Sequence, residues 1–212
     1  MTRERFGVFS PVLESPGGYL KLLNLDSPEA IDVVSSVVKC CKASATAHEE
    51  IARLLDELNW RPHLVAAVAV SAQEYDHTSM AKLWATFDSG SWVAPQLAVA
   101  AYLRDPSFLE LARVRILARC PLEPSRLTSM TPLERHVAAG PGGERARSGK
   151  AAASLVRLVG LLRPSPEWLA IELSSSDLVA LLAEDVDESA QITETWLAEL
   201  SALLRALNIQ KV

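Results

Sequence analysis

Residues 60–70, WRPHLVAAVAV, decide the fold. Proline is tolerated in the first turn of a helix, and after Pro62 almost every position is apolar. Wound at 3.6 residues per turn, Leu64, Val65, Ala67, Val68 and Val70 cover nearly the whole circumference. A helix that is apolar all round cannot lie on a surface and has to be enclosed by others. The character returns 33 residues later: LAVAAYL (97–103) lies over LVAAVAV (64–70), again after a tryptophan and an early proline, Trp92 and Pro95. The two tryptophans, Trp60 and Trp92, are 32 residues apart.

Moving outward, each apolar helix has an amphipathic successor. Beyond Glu74-Tyr75-Asp76-His77, Thr78 is expected to cap a helix carrying Met80, Leu83, Trp84 and Phe87, stopped by Asp88-Ser89-Gly90. Ser91 is expected to cap the second apolar helix. Asp105, followed by Pro106, caps the next, filled by Phe108, Leu109, Leu111, Ala112, Val114, Ile116 and Leu117. Toward the N-terminus, Ser27-Pro28-Glu29 starts a helix that runs to about Lys42, with Ile31, Val34, Val37 and Val38 on one face. Ser44 or Thr46 caps a further helix bearing Ile51, Leu54, Leu55 and Leu58, with Asn59 as terminator. Residues 1–26, broken by prolines and glycines, read as an irregular arm with one short strand, packed on the body through its aromatics.

Two helices per unit and a period in the thirties are the signature of an α-solenoid. Residues 60–119 resemble HEAT-like repeats: a buried helix with an early proline, an amphipathic partner, and a capping aspartate before the second helix. The resemblance implies an all-α fold of antiparallel helix hairpins stacked as a short solenoid. A helical bundle whose core helices share Ala, Val and Leu stays open beside it. The chain then divides into an irregular arm (1–26), a helical-repeat core (27–119), a Pro/Gly-rich loop region (120–147) and C-terminal helices packing on the same domain (148–212). The loop region holds Gly140-Pro141-Gly142-Gly143 and a short helix expected at 131–138. Ser148 opens a strongly apolar helix to Leu162. Shorter helices are expected from Glu167 and after Ser176-Asp177, and the last helix carries the stripe Ile192, Trp196, Leu200, Leu203 and Leu207, suited to capping a solenoid.

The 212 residues carry a net charge of −5, which opposes nucleic acid and anionic membranes as partners. The charge is uneven. Residues 101–163 hold 11 Lys/Arg against 5 Asp/Glu, and residues 164–212 hold 2 against 9. Either these segments attract each other within the fold, or the basic one faces a partner. Cys40, Cys41 and Cys120 form neither a disulfide framework nor a CxxC pair. No continuous apolar segment marks a secretory leader or a membrane span, so the expected location is the cytoplasm.

No motif names a reaction. Gly143 to Lys150 mimics a phosphate loop, but five residues separate Gly143 from Gly149-Lys150 where four are needed, and Ala151 stands where the hydroxyl should be. His48, His63, His77 and His136 lack the spacing of a helical zinc site, and His63 reads as a satisfied core or groove histidine. No metal, no cofactor and no catalytic residue is therefore assigned. Trp60 and Trp92 are either helix-entry packing or an exposed aromatic edge, since Trp and Arg dominate binding hot spots. The expected function is a non-enzymatic protein-binding module, an adaptor or a bacterial toxin-neutralising immunity protein. Its expected contact residues are Arg104, Arg115, Arg119, Arg126, Arg145, Arg147 and Lys150, with a homodimer as a further option. The alternative is a nucleic-acid binder using the basic 104–150 segment, similar to HEAT-like DNA glycosylases with a Trp-lined, Asp-bearing groove.

Overall fold

A computed structural model describes residues 6–119, 149–162, 164–169 and 186–209. The described residues are helical, with no strand among them. The arm forms two short 3-10 turns, Gly7–Phe9 and Gly18–Leu22, around a one-turn α-helix, Ser10–Leu13, in place of the expected strand. Pro11 sits in the first turn of that helix, where its missing N–H costs nothing. Phe9, Val12, Leu22 and Leu25 are buried, so the arm is part of the core. It is tied down by Glu50, whose carboxylate accepts the Val8 N–H at 2.6 Å and the Ser44 and Thr46 hydroxyls. Gly7 makes this approach feasible: φ is +53°, and a Cβ there would lie 2.1 Å from Glu50 Oε2.

The body is built from α1 (Ala30–Ala43), α2 (Ala47–Asp56), α3 (Trp60–Ala72), α4 (His77–Asp88), α5 (Ala94–Arg104) and α6 (Phe108–Arg119), followed by α7 (Gly149–Leu161) and α8 (Val186–Ala206). As the apolar pattern requires, α3 is buried without interruption from Pro62 to Ser71, and α5 from Ala94 to Ala101. One layer packs α1 on α3, α3 on α5 and α5 on α7, and in the other α2 lies on α4. Within each layer the neighbours run parallel. Trp60 meets Trp92 at the starts of α3 and α5, and at their ends Arg104 donates to the Ser71 carbonyl at 2.7 and 2.5 Å, across 33 residues. In the second layer Ser79 donates to the His48 carbonyl and Thr86 to the Leu55 carbonyl, both across 31 residues. The sequence period thus becomes a spatial translation, and it reaches back to α2. This architecture is compatible with a helical repeat.

Several helix ends differ from expectation. Asp76, two residues before Thr78, caps α4, because its carboxylate accepts the Ser79 N–H at 2.7 Å. Asn59 serves as the N-cap of α3 through the Arg61 N–H. The chain turns extended at Glu57, so Leu58 leaves the predicted apolar face of α2 and is fully exposed. Ile31 likewise faces outward, since α1 buries Val34, Val37, Val38 and Cys41. Asp105, the expected cap of α6, instead holds the turn leading into it: the helix begins at Phe108, and the Asp105 carboxylate accepts the Ser107 N–H at 2.8 Å and the Trp84 indole N–H at 2.7 Å.

α4 and α6 are held together by Arg115. Its guanidinium grips Asp88 through Nε and Nη2 at 2.8–3.1 Å and lies 4.1 Å from the centre of the Trp84 ring. The pair is almost fully buried, with side chains 4 % and 9 % exposed. Arg115 is therefore a fold-holding residue rather than the surface contact expected from its sequence.

α8 packs across α5 and α7 and reaches the arm through Trp196, which donates to the Leu22 carbonyl at 2.8 Å. Its buried residues are Ser189, Thr193, Trp196, Leu200 and Leu204, so the face is rotated from the predicted stripe. The Thr193 hydroxyl enters the interior because it is satisfied locally, donating to the Ser189 carbonyl at 2.7 Å. On the same helix burial, and then the charge of Asp26, hold the Glu199 carboxyl above its ordinary range.

Two outcomes follow from these contacts. Arg115→Ala strands a buried carboxylate and is expected to lower the unfolding free energy by about 3–5 kcal/mol, measured by urea denaturation, with the double variant Arg115→Leu, Asp88→Leu recovering much of the loss. An unchanged midpoint for the single variant would refute the structural role. Because the folded-state pKa of Glu199 is raised, its contribution to stability is greatest in acid and declines as the pH rises through that value. Glu199→Gln should raise the melting temperature at neutral pH and leave it unchanged in acid, where the wild-type carboxyl is already neutral.

Candidate functional site

The most distinctive surface lies at the shared edge where α3 and α5 begin. Trp60, half-buried, follows the Asn59 cap; Trp92, 57 % exposed, stands in the turn before α5. Their ring centroids are 4.9 Å apart, tilted by 55°. Tyr19, from the arm, meets the other side of Trp60 edge-on at 5.9 Å. The three rings make a short row with two cations against it, one beside Tyr19 and Trp60 and one at Trp92. The Arg61 guanidinium lies 5.3 Å from the Tyr19 centroid and 5.8 Å from Trp60, and the Lys150 ammonium 5.6 Å from Trp92, distances at which a cation is held by ring faces. Leu20 and Leu58, two more large apolar side chains exposed to solvent, are adjacent in sequence to Tyr19 and two residues from Trp60.

His63 braces the row from below. Its Nε2 donates to the Glu57 carbonyl at 2.6 Å, which can only accept, so Nδ1 accepts the Ser91 hydroxyl at 2.9 Å. Burial pushes its pKa down and favours this neutral tautomer. His63 thereby joins the loop preceding Trp60 to the loop preceding Trp92. Ser91 is engaged there rather than capping α5, which begins from Val93 without a side-chain cap.

The predicted contact residues separate. Lys150 is on the ledge. Arg104 is taken up by the Ser71 carbonyl and Arg115 by Asp88. Arg119 lies in α6, its side chain outside the described set, and Arg126, Arg145, Arg147, His136 and Cys120 lie outside the described residues, as do the short helices expected within 131–138 and after Ser176-Asp177. Arg61 and Tyr19 were not anticipated. The signal for Arg61 was present, since it follows Trp60 directly; Tyr19 is brought in by the path of the arm.

A second cluster contains chemically familiar residue types. His48 Nδ1 is 3.9 Å from Asp76 Oδ2, and Ser79 lies beside both. However, the Ser79 hydroxyl donates to the His48 main-chain carbonyl, not to an imidazole, and Asp76 is held to the Ser79 N–H, which keeps its pKa low. The cluster builds a helix start and contains no nucleophile–base hydrogen bond of the kind acyl transfer needs. Among the described residues no group of three or more His, Cys, Asp or Glu could hold a metal ion. Cys40 and Cys41 are free; burial pushes the Cys41 thiol up to about 11, away from the thiolate that reacts or ligates. An open cleft of about 610 Å³ between the arm and α1 is lined by Val8, Pro11, Lys39, Cys40 and Glu50, the last occupied in tethering the arm. No helix among the described residues is long and apolar enough to cross a membrane. Comparison with protein-family models, with curated proteins and with solved structures finds no match for this chain.

Proposed function

We propose that this chain is a non-enzymatic, protein-binding module of HEAT-like helical-repeat type, an adaptor in character, and that it docks its partner on the ledge of Tyr19, Trp60 and Trp92. The observation that carries this reading is the exposure of Trp92 beside Trp60, with Arg61 and Lys150 against the row. Tryptophan, tyrosine and arginine supply most of the energy of protein interfaces, and an apolar patch rimmed by charge is where partners dock. The parallel stacking of α3 on α5, with its 33-residue translation, supports the repeat character. A toxin-neutralising role is one form such an adaptor takes. The free Cys40 and Cys41 suit a reducing compartment such as the cytoplasm. The nucleic-acid alternative is less favoured, since Arg104 and Arg115 of its basic segment are engaged inside the fold and the net charge is −5.

The test compares the wild-type chain with the double variant Trp92→Ser, Lys150→Glu as immobilised bait. Both substitutions are at accessible positions, so the melting temperature should change by no more than a few degrees. A captured protein that cross-links to the ledge should be lost from the variant by at least about tenfold, the weight of one hot-spot residue. Equal capture by both baits, or tight duplex or single-stranded nucleic-acid binding at physiological salt, overturns the assignment.

A further inference from the structure

We infer that the ledge reads an extended, acidic, proline-bearing segment of its partner; the inference rests on the protein-binding reading above and narrows it to one chemistry. Three independent features of the ledge converge on such a segment.

The first is shape. The ring centroids advance by 5.9 Å from Tyr19 to Trp60 and by 4.9 Å from Trp60 to Trp92, so the row is no longer than three to four residues of polyproline II chain at ~3.1 Å per residue. Trp60 and Trp92 are tilted by 55° and form a corner rather than a flat platform. A corner between aromatic rings accepts the compact ring of a proline, which is how aromatic-lined grooves hold proline-rich chains. It does not offer successive parallel faces to a run of bases, as single-stranded nucleic acid requires.

The second is hydrogen bonding. The indoles of Trp84 and Trp196 donate to Asp105 and to the Leu22 carbonyl within the protein. Among the described residues the indole N–H groups of Trp60 and Trp92 have no acceptor. A polyproline II chain makes no internal hydrogen bonds and presents its carbonyls outward, so it supplies the acceptors that these two donors lack.

The third is charge. Arg61 and Lys150 lie against the row and form no ion pair among the described residues, whereas Lys21, two residues from Tyr19, is already paired with Glu29 at 3.7 Å. A cation over a ring face still presents its outer N–H groups to solvent. Carboxylates placed before and after the proline would meet them, and a basic segment would be repelled by both. With one cation beside Tyr19 and Trp60 and the other at Trp92, the charges are spaced over a few residues only, which suits a short motif rather than a folded surface.

The experiment is selection from a displayed library of short random peptides on the full-length chain, counter-selected on Trp92→Ser, followed by calorimetry with the selected peptides. Enrichment of Asp or Glu on both sides of proline, with affinity reduced about tenfold or more by Trp92→Ser and separately by Lys150→Glu, supports the inference. A Pro→Ala peptide that binds equally, enrichment of basic or purely apolar sequences, or preferential binding of oligothymidylate overturns it. Concentration-dependent dimerisation that disappears in Trp92→Ser also overturns it, since the occupant would then be a second copy of this chain. Failure here leaves the wider reading distinguishable: Trp92-dependent capture of a folded partner, with no acidic proline peptide selected, rejects the motif and retains the docking surface.

Discussion

Helix α3 has no side that can face water, and the rest of the structure follows from that. From Pro62 to Ser71 every residue is buried, so neighbours must surround the helix. The arm, α1, α2, α4 and α5 are those neighbours. Small side chains make the enclosure feasible. Alanine at 66, 67 and 69 lets the adjacent backbones come close, while valine and leucine fill the remaining space at the density of a protein interior. α5 repeats the composition and therefore the requirement, which is met by α3 on one side and α7 and α8 on others. An array of such helices has to be enclosed at its open faces, and α8 does so across α5 and α7.

Burying this much chain leaves polar ends to be satisfied, and long-range hydrogen bonds do this in register. Arg104 closes the end of α3, Thr86 the end of α2, and Asp105 takes both the turn leading into α6 and the Trp84 indole. Arg115 and Asp88 form the one deeply buried ion pair among the described residues. Such a pair adds little net energy over an apolar substitute, but it penalises any slippage of α4 against α6 that would part the charges. Its contribution is to register more than to stability.

The sequence showed the fold better than it showed the site, for a physical reason. Apolar periodicity reports what must be buried, and the twin segments at 64–70 and 97–103 therefore announced two enclosed helices. Helix caps were less legible, because several Ser, Thr, Asp and Asn residues compete near each start and only distance decides. Asp76 won over Thr78, and Ser91 was drawn away by His63. The charge count of the basic segment is ambiguous in a related way. Counting charges cannot tell an arginine that faces solvent from one that, like Arg115, lies against a ring and a carboxylate. Tyr19 was invisible because its place depends on how the arm crosses α3.

The position of the ledge is itself a consequence of the stacking. A proline in the first turn of a buried helix fixes where that helix begins, and the two or three residues before the proline lie at the edge of the enclosure, where a large side chain has room. Trp60, two residues before Pro62, and Trp92, three before Pro95, lie at those edges in successive units. Since α3 and α5 run parallel at a nearly constant translation, the two starting points are neighbours, and their rings meet although they are 32 residues apart in sequence. His63 then couples the two entry loops, so the corner between the rings is set by the core and not by the loops alone. Packing that exists to bury α3 thus delivers a preorganised aromatic surface. A preorganised surface can bind a short segment with little further loss of entropy on the protein's side.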